Sequence, residues 1–164
     1  MAERSPNYPA VGLKEAIELA RKLYKAEKRS PASATTAVAA WGYSSVNGTA
    51  RSRLSALRKY GLLEKAAGVY KLSNRAMNLL LHEDGSPEFL SAAREAALTP
   101  ELFKALARDF MEGSETNLRN HLMLRLNFTE AGARYVTKAF RETMVAAKLG
   151  DAAYNDDDSD SREE

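Results

Sequence analysis

The chain has 164 residues, 45% hydrophobic and 28% charged, with no cysteine and a formal net charge of +2. That length suits one domain or two small ones, the composition is that of a globular protein, and the missing thiols exclude disulfides and thiolate metal sites. Residues 1–82 hold 14 Lys and Arg against 5 Asp and Glu, residues 83–150 hold 9 against 10, and residues 151–164 hold 1 against 7. A basic head, a near-neutral middle and an acidic tail imply separate jobs, and the head suits a polyanion.

In chain order, Leu13, Ala16, Ile17, Ala20, Leu23 and Tyr24 recur at helical spacing, which predicts a first helix from Leu13 to Lys28. Arg29-Ser30-Pro31 ends it, because the residue before a proline avoids helical geometry. Ser33 is the expected N-cap of a short second helix reaching Trp41, and Gly42 closes it in a left-handed conformation. A third helix starts between Ser45 and Gly48, with Ser44 and Asn47 as rival caps, and stops at Tyr60 before Gly61. Its apolar stripe is Val46, Ala50, Leu54 and Leu57. Leu62 to Ala66 and Val69 to Leu72 read as two short strands joined at Ala67-Gly68, a tight hairpin signal. Ser73 then caps a helix that runs to His82.

Glu83-Asp84-Gly85 reads as a linker, dividing a head of residues 1–82 from a module of residues 83–150. Ser86-Pro87-Glu88 and Thr99-Pro100-Glu101 each place a hydroxyl at the N-cap, a proline at the first helical position and an acid behind it, where the helix dipole favours negative charge. Ser114-Glu115 opens a further helix and Phe128-Thr129-Glu130 another, with Phe128 placed to staple onto Ala133. Leu102, Leu106 and Phe110, then Leu118, Leu122 and Leu126, then Val136, Phe140 and Met144 are the expected buried stripes of an all-helical bundle. The last of these stripes is also long enough to bury against a second copy, which makes a homodimer through the C-terminal helices an expectation. Residues 151–164 carry too little apolar character to order themselves and read as a disordered acidic tail.

The third helix carries the chemistry. Opposite its stripe stand Gly48, Arg51, Ser52, Ser55 and Lys59, with Arg58 on one flank and Ser44, Ser45, Asn47 and Thr49 at its leading end. Arginine near the front of such a helix donates two hydrogen bonds to guanine, while serine and asparagine serve bases or phosphates, and small residues allow close approach to a groove. Lys65 and Lys71 on the hairpin are candidates for flanking phosphates. Arg53 falls beside the apolar stripe and is expected to snorkel or pair with an acid instead.

Tyr60-Gly61-Leu62-Leu63-Glu64 followed by Gly68-Val69-Tyr70-Lys71-Leu72-Ser73 resembles the passage from helix to wing in winged helix-turn-helix regulators. Ser5-Pro6-Asn7-Tyr8-Pro9 and the stretch from Phe128 to Leu149 are similar to parts of an uncharacterised prokaryotic winged-helix family. The resemblance implies a mainly α fold with a small β-hairpin wing, followed by the helical bundle. It also implies double-stranded DNA as partner, with a role in regulating transcription or a mobile element. A non-catalytic adaptor that docks protein on the same fold is the alternative.

Other chemistry finds little footing. His82 and His121 stand far apart and no phosphate-binding glycine loop or nucleophile setting is present, so neither an enzyme, a cofactor nor a small-molecule ligand is expected. Trp41 reads as core packing. No apolar run approaches the 18 or so residues that span a membrane, and the first residues lead into Ser-Pro-Asn, so a cytoplasmic protein without a leader is expected.

Overall fold

The computed structural model describes residues 8–149, and the expected acidic tail lies outside them. Helix α1 (Leu13–Glu27) buries Leu13, Ala16, Ile17, Leu19, Ala20 and Leu23, following the spacing that predicts it. After it come β1 (Ala32–Ser33), α2 (Ala34–Ala39), α3 (Gly48–Lys59), β2 (Leu63–Ala66), β3 (Val69–Leu72) and α4 (Asn74–Leu81). The later half holds α5 (Pro87–Ala97), α6 (Glu101–Phe110), α7 (Glu115–Arg125) and α8 (Glu130–Ala146). Among the described residues the chain is thus mainly helical with one small antiparallel sheet, ordered β1-β3-β2.

Local capping chemistry sets most helix starts. Ser33, Asn47, Ser73, Ser86, Ser114 and Thr129 each accept a hydrogen bond from the backbone N–H three residues on. Three expectations need correction. The second helix ends at Ala39 rather than Trp41, whose indole N–H instead donates to the Leu19 carbonyl at 2.8 Å. Asn47 outcompetes Ser44 as the α3 cap, so Val46 precedes the helix rather than joining its stripe. Thr99 is not a cap: its hydroxyl donates to the Glu95 carbonyl at 2.6 Å and accepts from Arg75, and Pro100 takes the cap position.

Strand β1 escapes sequence analysis because two residues carry no periodicity, and only its partner defines it. Ala32 pairs with Tyr70 and Ser33 with Val69. The hairpin pairs Leu63 with Leu72 and Ala66 with Val69. Its turn residues Ala67 and Gly68 both have positive φ, 51° and 79°, the handedness that matches the twist of paired strands.

The buried side chains of both halves join one core. Helix α8 packs on α1, α5 and α7, and Val136, Phe140 and Met144 are buried within this chain. The stripe expected to meet a second copy is therefore already covered. At the centre the Tyr60 hydroxyl donates to the Val11 carbonyl at 2.8 Å and lies 3.1 Å from the Thr143 hydroxyl. Thr143 in turn accepts from the Leu13 N–H at 3.1 Å. This network fixes the start of α1, the end of α3 and the last turns of α8 against one another.

Candidate nucleic-acid interface

The site begins at Asn47. Its side-chain oxygen accepts from the Ala50 N–H at 2.8 Å, so that oxygen is spent on starting α3, while the residue itself stays exposed. From this cap the helical turn carries Ala50, Leu54 and Leu57 into the core and Gly48, Arg51, Ser52, Ser55 and Lys59 to the opposite side. Ser44, Ser45, Thr49, Arg51, Ser52 and Arg58 are exposed, whereas Ser55 and Lys59 are half-buried. The leading half of the helix is thus its most accessible part. Arg51 and Arg58 have no acidic partner among the described residues. Arg53 is different: its guanidinium lies 3.4 Å from the Glu15 carboxylate of α1.

The polar side of α3 faces a wall. Tyr8, Ala10 and Tyr135 stand across from it and bound a cleft of about 470 Å³. The Lys59 ammonium donates to the Tyr8 carbonyl at 3.2 Å, and the Tyr135 hydroxyl donates to the Ala10 carbonyl. The Tyr8 ring packs against Phe128 and Tyr135, with centroids 5.7 and 6.2 Å away. Desolvation holds the Lys59 ammonium below the usual lysine value and is the main cause that raises the Tyr135 phenol. Among the described residues no carboxylate lines the cleft. Sequence analysis missed this wall, because Tyr8 and Tyr135 approach α3 only through the tertiary fold. The one trace of it was an aromatic residue at an outward position of the α8 pattern.

On the hairpin, Lys65 and Lys71 are both exposed. Lys71 stands opposite Glu64 across the strand pair, and the Lys65 ammonium sits 5.5 Å from the centre of the Tyr70 ring. Each keeps donors free for a phosphate, Lys71 with its charge partly offset. Helix α3 packs on β2, so helix and hairpin are held as one piece.

Elsewhere, the His121 ring packs on Phe110 at 4.3 Å while His82 is exposed. No cluster of three metal-ligating side chains occurs among the described residues, and no helix there is long and apolar enough to cross a membrane. No family model, curated protein or solved structure matches this chain.

Proposed function

We propose that this chain is a DNA-binding protein with a winged helix-turn-helix head, acting as a regulator of transcription or of a mobile element. In this reading α3 enters the major groove leading end first, as recognition helices do, and the β2–β3 hairpin rests on the adjoining backbone. The observation that carries it is the pair Arg51 and Arg58. Two arginines stand exposed on one helix with no acid among the described residues to neutralise them, in a head with 14 basic residues against 5 acidic. The succession of helix, strand, two helices and a hairpin, with β1 closing the sheet on β3, supports the same reading.

Roles follow from accessibility. Arg51, Ser52 and Thr49 lead and are assigned to base edges, with Ser44, Ser45 and the Asn47 amide on the backbone beside them. Arg58, Lys65 and Lys71 are assigned to phosphates. Ser55 and Lys59 sit deeper, against Tyr8 and Tyr135, and act at the margin of the interface.

The test is binding of full-length protein to a genomic-fragment pool, followed by anisotropy on the selected site. Contact with five phosphates gives a log–log salt slope of about −4 to −5. Arg51→Ala removes about 1–3 kcal/mol of discrimination between selected and scrambled sites. Arg58→Ala weakens both sites alike and reduces the salt slope by about 1. Unchanged affinity in both folded variants ends the major-groove assignment. A flat salt dependence would instead favour the adaptor reading, for which the observation is Leu124, 77% exposed on α7 beside the exposed Met123.

A further inference from the structure

We infer that the cleft between α3 and the Tyr8–Ala10 segment is a binding site for a small planar phosphate monoester, a free mononucleotide being the class that fits it. The cleft, at about 470 Å³, falls within the range of small-ligand sites. One side offers two cations, Arg51 and Lys59, and two hydroxyls, Ser52 and Ser55. The other offers two tyrosine rings, tilted 51° to each other, with Tyr135 48% exposed. Cations and hydroxyls recognise a phosphate, and ring faces recognise a flat base.

Charge selects the monoester. Among the described residues Arg51 has no partner, Lys59 donates only to a backbone carbonyl, and the two positive charges face a space that no carboxylate lines. A phosphate monoester carries close to two negative charges at neutral pH, whereas a phosphodiester carries one. Lys59 is also partly desolvated, which is why its ammonium titrates below the usual value, and a bound dianion supplies the counter-charge it lacks. The walls are preformed: Tyr8 packs on both Phe128 and Tyr135, which holds the two rings before anything binds.

This assignment shares Arg51, Ser52, Ser55 and Lys59 with the DNA reading but does not rest on it, and its test contains no DNA. Full-length protein is titrated at low salt by calorimetry with AMP, GMP, CMP, adenosine, inorganic phosphate and the dinucleotide ApA. At least one monophosphate is expected to bind with one-to-one stoichiometry, about ten-fold tighter than adenosine, phosphate or ApA. Arg51→Ala, at an exposed position, and Tyr135→Leu, which removes one ring, should each weaken it about ten-fold while melting as cooperatively as the parent. Lys104→Ala, on α6 and away from the cleft, should leave it unchanged. Three results would each overturn the assignment: monophosphates binding no tighter than inorganic phosphate, ApA binding tighter than AMP, or Arg51→Ala and Lys104→Ala behaving alike.

Discussion

Tyr60 shows how one side chain sets the geometry on which the site depends. It ends α3, it is fully buried, and its hydroxyl reaches both Val11 and Thr143. Phenylalanine would fill the same space but strand the Val11 carbonyl away from water. We therefore expect Tyr60→Phe to lower stability by about 1–3 kcal/mol, measured by urea unfolding at neutral pH. Burial, the largest influence on this phenol, also pushes its ionisation well above the ordinary tyrosine value. The folded chain then keeps a proton that the unfolded chain releases. Stability is full below the ordinary tyrosine value and falls as pH rises from there towards the raised one. Lys59 is shifted downwards and contributes with the opposite sign, so the informative comparison is with Tyr60→Phe, where Lys59 persists. The variant should lose less stability than the parent between neutral and strongly alkaline pH. Parallel curves would show that Tyr60 is not the group responsible.

At the scale of elements, the junction of α3 with β2 rests on Gly61. Its φ is +77°, and the Arg75 guanidinium lies where a β-carbon would project. That guanidinium donates to the Tyr60 carbonyl at 2.9 Å and to Thr99 at 2.8 Å, tying α4 to the end of α3 and to the start of α6. Gly61→Ala therefore meets both backbone strain and the loss of this clamp, and should cost about 1–3 kcal/mol by thermal or urea unfolding. A cost near zero would show that neither the positive φ nor the Arg75 clamp constrains this position. In the hairpin, Ala67 holds φ +51° without glycine's freedom, so Ala67→Asn should stabilise by about 0.5–1 kcal/mol. Elements such as these were legible from sequence wherever their cause is local. The caps at Ser33, Ser73, Ser86, Ser114 and Thr129, the hairpin turn and the α1 stripe each depend on residues within a few positions. What sequence did not show depends on distant partners: β1 exists only by pairing with Tyr70, and Thr99 is drawn away from capping by Arg75. The candidate site divides in the same way. The polar face of α3 could be read from its spacing, whereas the wall formed by Tyr8 and Tyr135 could not.

At the scale of the whole molecule, the linker at Glu83-Asp84-Gly85 suggests two units, yet the core runs across it. The Tyr60 ring packs against Phe103 of α6 at 6.3 Å, and Phe103 packs against Phe140 of α8 at 5.7 Å. The Leu13 N–H, at the start of α1, is satisfied by Thr143 of α8. Residues 1–82 alone would leave that donor unpaired and expose the apolar flanks of α1 and Tyr60, at about 25 cal/mol for each Å² returned to water. Folding of the head and of the bundle should therefore be a single event. The sole tryptophan, Trp41, lies in the head and reports on it alone, while helical circular dichroism reports on the whole chain. We expect the two signals to change together through urea unfolding, and the fragment of residues 1–82 to show no cooperative transition. A tryptophan transition displaced from the helical one would show two independent units. So would a fragment that unfolds cooperatively, and the bundle would then be an appendage to α3 rather than part of what holds it in place.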